Sequence, residues 1–294
     1  MAQSIARVFP SRTSATPVDD MAFVGDPPFP TMQPEADAVH VSCTFTWDKP
    51  EAERLAVAWG KYYQTVRVGG PAYDDPGGEF VPGRYLAPGY IITSRGCPNH
   101  CDFCLVPTRE GKLRTVEIRD GNNVLDNNLL ACPRPHIDAV LSMLARQKKR
   151  AVFTGGLEAA RLERWFVRAC VEMNAERLFL AYDRPAEQQP VADAIRLIRE
   201  EWPGVSLRHR VTCYVLVGRQ GDSMKAAEAR LQWVLDAGAT PFAMYFRPED
   251  VARRQAPPEW ARFVKRWIRP AAMFPTKAGT REEENRWPRA SHSA

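Results

Sequence analysis

The sequence predicts an α/β fold, and three observations carry that prediction. Between residues 88 and 250, short runs of β-branched and aromatic residues alternate with longer runs whose apolar positions recur at helical spacing. Strands joined by helices lie parallel in one sheet. The piece is shorter than the ~250 residues of a full eight-stranded barrel. The expected architecture is therefore a partial (β/α)6 TIM-like barrel with a short N-terminal βαβ extension.

The six expected strands cover 90–93, 123–126, 151–154, 178–182, 211–217 and 241–246. Helices are expected over 135–148, 162–173, 191–201 and 224–237. Ile137, Val140, Leu141 and Leu144 share one face of the first, and Gly238 caps the last. One connection departs from the pattern: Leu113, Thr115, Val116 and Ile118 alternate, which predicts a short extended excursion between the first two strands.

Upstream, 39–46 reads as a strand and 65–68 as a second, stopped by Gly69-Gly70-Pro71. Between them a helix opens with Asp48 as N-cap and Pro50 in the first turn, placing Leu55, Ala58 and Trp59 on one face. Residues 1–38 contain Asp26-Pro27-Pro28-Phe29-Pro30 and little periodicity. They read as an extended surface arm, pinned by Phe23, Val24 and Phe29. The chain thus divides into an arm (1–38), a βαβ extension and connector (39–87), a partial barrel (88–250) and a basic C-terminal helix and tail (251–294).

Composition narrows the function classes. An apolar share of 45% and a charged share of 26% exclude a disordered, collagen-like or coiled-coil chain. No stretch approaches the 18 consecutive apolar residues of a membrane span. The net charge of +5 is concentrated at the end, where residues 251–294 hold 10 Lys/Arg against 4 Asp/Glu. A basic tail leaves nucleic acid as an open partner. Trp260, Phe263 and Trp267 stand at helical spacing among Arg262, Lys265, Arg266 and Arg269, and packing on the barrel is their favoured use over stacking on bases. Seven cysteines, an odd count with one tight cluster, do not form a disulfide framework and point to a reducing cytoplasm. Cys43, Cys132, Cys170 and Cys213 read as core residues.

The cluster is Cys97-Pro98-Asn99-His100-Cys101-Asp102-Phe103-Cys104, a C-x3-C-x2-C spacing directly after a strand. The loop therefore leaves the carboxyl end of that strand, where barrels keep their chemistry. Three thiolates on one loop suit three corners of an iron–sulfur cube, with the fourth iron open to a non-protein ligand. The alternative is a structural zinc site, which needs four protein donors. His100 is adjacent to Cys101 and poorly placed to be the fourth, so a distant cysteine would have to complete it. That alternative is a non-catalytic zinc-binding module, with RNA bound through the tail.

The motif, with Phe103 before the last cysteine and an α/β series after it, resembles the radical S-adenosylmethionine (SAM) superfamily over about residues 88–250. The resemblance implies a 4Fe–4S cluster on Cys97, Cys101 and Cys104, with SAM chelated by the open iron. It implies reductive cleavage of SAM to a 5′-deoxyadenosyl radical that abstracts hydrogen from a substrate the sequence does not name. A reductase such as flavodoxin or ferredoxin is the implied electron donor. The family's cofactor-contacting positions map onto Phe103, onto Asp126-Asn127-Asn128 at the second strand's end, and onto Gly155-Gly156 and Glu158 after the third. Tyr182-Asp183 after the fourth strand and Val217-Gly218 at the end of the fifth complete the set. Asp126-Asn127-Asn128 departs from the family's Gly-Gly-Glu, which Gly155-Gly156-Leu157-Glu158 matches better from the wrong strand. The unit at 39–71 resembles the last part of a cobalamin-binding domain, but the cobalt-binding Asp-x-His-x-x-Gly loop does not occur. A remnant padding the barrel edge is the expected result.

Overall fold

The computed structural model describes residues 3–75, 79–247 and 256–268. Two parallel sheets organise it. The first contains β1 (Ile5–Phe9), β2 (Ala22–Val24), β3 (Ala38–Ser42) and β4 (Val66–Gly69), in the order β2-β1-β3-β4. Helix α1 (Lys49–Trp59) joins β3 to β4, with Ala52, Leu55 and Trp59 buried on its inner face. The tightness of the β4 exit requires glycine: Gly70 has φ +101, and a Cβ there would stand 2.7 Å from the Cys43 carbonyl oxygen.

This sheet corrects the reading of residues 1–38 as a surface arm. Ile5–Phe9 is an interior strand, paired with β2 on one side and β3 on the other. Ala6 and Val8 have no solvent exposure. The strand was hidden by Arg7 at its centre. That guanidinium points to the other face, pairs with Asp19, and donates to the carbonyls of Gly83 (3.2 Å) and Arg84 (2.7 Å) in the connector. Of the three expected pins, Phe23 packs against Trp59, with ring centroids 5.2 Å apart, while Val24 and Phe29 stay exposed. The expected βαβ remnant is accordingly a four-stranded unit with its own core. Asp48 precedes α1 without a side-chain cap; its carboxylate accepts from Ser11 Oγ at 3.0 Å.

The second sheet has six parallel strands in strict chain order: β5 (Tyr90–Ile91), β8 (Asn123–Val124), β9 (Val152–Phe153), β10 (Arg177–Ala181), β11 (Val211–Val217) and β12 (Thr240–Tyr245). It is open, with β5 and β12 as its outer strands. Between β5 and β8, the strands β6 (Ser94–Arg95) and β7 (Arg114–Thr115) pair antiparallel around the short helix α2 (Val106–Arg109), which is the expected extended excursion. Helices α3 (Arg134–Ala145), α4 (Arg164–Glu172), α5 (Gln188–Glu201) and α7 (Met224–Asp236), with the one-turn α6 (Leu207–Arg210), make the remaining crossovers. Their apolar faces bury Ile137, Phe166, Ile198 and Leu231 against alternate strand residues such as Phe153, Leu178, Leu180 and Val215.

The opposite face of the sheet carries Phe179, Tyr214 and Phe242 in one row. Phe179 stacks on Tyr214 at 5.0 Å, and Tyr214 meets Phe242 edge-on at 5.7 Å. A last helix, α8 (Pro258–Trp267), packs on the sheet: Trp267 is 2% exposed, and Trp260 lies 5.9 Å from the Tyr245 ring. That is the packing use expected of these aromatics. The basic tail after residue 268 lies outside the described residues. No helix among the described residues is long and apolar enough to cross a membrane.

The interior position of β1 has a measurable consequence. Val8→Asp would place an uncompensated carboxylate in the core of the first sheet, at a cost of about 3–5 kcal/mol. A surface arm would tolerate the change within about 0.5 kcal/mol. Urea unfolding of the variant should show the larger loss, and a midpoint equal to that of the parent chain would return these residues to the surface.

Candidate functional site

The cysteine loop runs from β6 to β7, the two strands of the antiparallel ribbon. Gly96 opens it with φ +81, and a Cβ there would stand 2.4 Å from the Lys112 carbonyl oxygen, so only glycine lets the outgoing chain pass the returning one. An ion pair between Arg95 and Glu110, 3.0 Å long and largely buried, ties the two arms of the loop. The Cys104 amide donates to the Cys101 carbonyl at 3.0 Å, which places these residues one turn apart. Cys97, Cys101 and Cys104 are free and partly exposed.

The environment of Cys101 and Cys104 disfavours bare thiolates. Burial raises the Cys101 thiol, partly opposed by the Arg184 guanidinium, and the neighbouring cysteines raise it further. Burial likewise raises Cys104, against one hydrogen bond from the Val106 amide. The Cys97 sulfur accepts from the Asn99 amide at 3.4 Å and from Asn128 Nδ2 at 3.5 Å. Among the described residues no three His, Cys, Asp or Glu side chains converge on a point where a single ion would sit. A cube asks for a different arrangement, with each thiolate on its own iron and hydrogen bonds to the sulfurs. Three half-buried thiols on one loop, with N–H donors at Cys97, suit that donor set.

The end of the second strand meets this loop. Asp126 is 1% exposed. Its Oδ1 accepts from the Thr93 amide at 2.6 Å, and its Oδ2 from the hydroxyls of Thr93 (2.6 Å) and Ser94 (2.7 Å). This corrects its expected place among the cofactor contacts, since both oxygens are committed inside the protein. Asn127 Oδ1 accepts from the Gly96 amide at 2.9 Å. Asn128 is buried; besides Cys97, its Nδ2 donates to Glu158 Oε2 at 2.6 Å. Its Oδ1 is buried without a partner.

The third strand ends against the second. At Gly155 a Cβ would stand 2.3 Å from the Asp126 carbonyl oxygen, so the close approach of the two strand ends needs glycine. Gly156 turns the chain at φ +95 beside open space, and Glu158 is held by Asn128 and by Arg161 Nε at 2.8 Å. Glu158 and the unpartnered Asn128 Oδ1 are two acceptors at one place.

The fourth and fifth strands split the remaining expected residues. Asp183 reaches the site: burial pushes its carboxyl up to about 6, against a hydrogen bond from the Leu216 amide at 2.8 Å, and its charge in turn raises Cys104. Tyr182 does not. It is buried on the helix-covered face, 5.3 Å from the Trp233 ring, with its hydroxyl 3.2 Å from Gln188 Oε1. Val217 has no exposure and joins the same helix-side core. Both are corrected as side-chain contacts. Gly218 lies at the strand end, with φ +79 and a Cβ position only 2.3 Å from the Tyr245 ring. Phe103 is covered by Arg219, whose guanidinium centre sits 4.7 Å from the ring centroid and whose Nη2 pairs with Asp102. The loop is thus clasped to the end of the fifth strand.

Sequence reasoning missed Thr93, Ser94, Arg184 and Arg219. The first two precede the motif directly, and a polar pair beside a buried aspartate is a readable signal. Arg219 lies 115 residues from Cys104 in sequence, and nothing local announces its contact with Phe103. Comparison with protein-family models and with curated proteins finds no match for this chain.

Asp183 gives the site a pH signature. Its folded value, about 6, lies above the 3.8 of a free aspartate. The folded chain therefore holds a proton that the unfolded chain has lost between about pH 4 and pH 6. Its contribution favours the fold below that window and fades as pH rises through it. Asp183→Asn should be progressively more stable relative to the parent chain from pH 4 to pH 6, with a constant difference above. Urea midpoints across that range check this, and parallel curves would contradict it.

Proposed function

We propose that this chain is a radical SAM enzyme. The single observation that carries the reading is the C-x3-C-x2-C loop at the carboxyl end of the first of six parallel strands in strict chain order. On this reading the open sheet is a partial (β/α)6 barrel and its carboxyl end is the mouth. A 4Fe–4S cluster bound there would supply the electron that cleaves SAM to methionine and a 5′-deoxyadenosyl radical.

The chain's own residues have assigned parts. Cys97, Cys101 and Cys104 would hold three irons. Glu158, held by Asn128, offers an acceptor suited to the ammonium group of SAM. Gly156 leaves room for the methionine moiety, and the backbone at Val217-Gly218 is the expected neighbour of the adenine. Phe103, under Arg219, closes one wall of the loop. The row of Phe179, Tyr214 and Phe242 lines the face on which substrate would lie. A flavodoxin or ferredoxin would deliver the electron.

Anaerobic purification and reconstitution should yield about four irons and four sulfides per chain. Ala at Cys97, Cys101 or Cys104 should abolish the broad visible absorbance. Dithionite and SAM should then give 5′-deoxyadenosine on chromatography, slowly even without substrate. One zinc per chain and no sulfide would replace this reading with the zinc-module alternative.

A further inference from the structure

The backbone ladder between the first two strands stops early, with Tyr90 opposite Asn123 and Ile91 opposite Val124. Its last backbone bond runs from the Leu125 amide to the Ile91 carbonyl at 2.9 Å. Beyond that point side chains continue the pairing in step. Asp126 takes Thr93 and Ser94, Asn127 takes Gly96, and Asn128 takes Cys97. Three consecutive residues of one strand end thus hold Thr93, Ser94, Gly96 and Cys97 on the way into the cysteine loop.

We infer that Asp126, Asn127 and Asn128 form a positioning clamp that fixes the cysteine loop and, through Asn128 Nδ2, sets the electronic environment of the Cys97 sulfur. Asp126 and Asn127 act wholly through the loop. Their acceptors are directed at its amides and hydroxyls. The Nδ2 group of Asn128 has two hydrogens, one for Glu158 and one for Cys97. A donor aimed at sulfur strengthens as the sulfur becomes anionic. Hydrogen bonds to ligand sulfurs raise the reduction potential of an iron–sulfur cluster by stabilising its more negative state. The loop-holding part is independent of the cluster, and the tuning part rests on the proposed function.

Two readouts separate these parts. The first uses the metal-free chain. Hydrogen exchange at Gly96, read on the peptide spanning the loop entrance, should accelerate about tenfold in Asn127→Ala, the protection that one ordinary hydrogen bond gives. Asn127→Asp keeps the acceptor and should restore protection. Equal exchange in the parent chain and Asn127→Ala would overturn the clamp, whether or not a cluster binds. The second uses the reconstituted protein. Asn128→Asp keeps shape but loses the donor, and Asn128→Ala loses both. Each should retain the parent's iron content and titrate at a lower potential by electron paramagnetic resonance. Unchanged potentials at full iron content would overturn the tuning role. A parent chain that takes up no iron would instead remove the proposed function, leaving the exchange result to judge the clamp. Asp126→Asn, which sets a donor against donors in the core and carries a folding risk, is not needed for either readout.

Discussion

A buried carboxylate decides where the first strand stops being a strand. Asp126 satisfies both of its oxygens with three donors from Thr93 and Ser94. An ionised carboxylate in that position would be costly without them, because burial raises its pKa and only the hydrogen bonds oppose the shift. The donors in turn are available only if Thr93 turns its amide away from the sheet. The chain therefore leaves the ladder after Ile91 and starts the antiparallel ribbon at Ser94, and the cysteines come immediately after. His136 Nε2 lies 3.3 Å from Thr93 Oγ1 and joins the same buried knot to the first long helix on the six-stranded sheet. Remove the knot and the loop loses its fixed origin.

The rest of the site follows from topology. When parallel strands are laid down in chain order, every carboxyl end faces the same way, so residues far apart in sequence share one edge. That is why Cys104 feels Asp183 and Phe103 feels Arg219. The four-stranded sheet touches the same rim at two places. Asp74, just after β4, pairs with Arg109 of α2 at 3.1 Å, beside the cysteine loop. Arg247, just after β12, lies 4.2 Å above the Trp47 ring, which itself stacks on Phe45 at 4.6 Å. The N-terminal unit thus touches residues that follow the first and the last strands of the open sheet.

Most of this architecture was legible in the sequence, for a definite reason. The six strands and the long helices were visible because one face of each is apolar at its own period. Ile5–Phe9 was not, because a single arginine broke the run and its partners, Asp19 and two connector carbonyls, are invisible from the sequence. Tyr182 and Val217 were misplaced for a subtler reason. A strand-end position says that a residue is near the mouth, but alternation says which face it takes. Leu178, Leu180 and Tyr182 share one parity and all three are buried, whereas Phe179, Ala181 and Asp183 share the other. The same rule sends Val211, Cys213, Val215 and Val217 to the helices and Tyr214 and Leu216 to the open face. The signal was present in the spacing.

The electrostatics of the loop fit its geometry. Burial raises Cys101, Cys104 and Asp183 together, and each anion that forms makes the next harder to form. Arg184 is the cation acting on Cys101, and it is mostly committed to Glu187, with which it forms a 2.8 Å ion pair. Arg219 is engaged with Asp102 and Phe103. Both of these arginines therefore already have an acidic partner at this edge. Burial thus keeps the Cys101 and Cys104 thiols protonated over a wider pH range than free cysteine, while Asp183 ionises only above about pH 6. The Asn99 and Asn128 N–H groups at Cys97 and the Asp183 carboxylate near Cys104 are polar groups that the fold brings to these sulfurs from three separate stretches of chain.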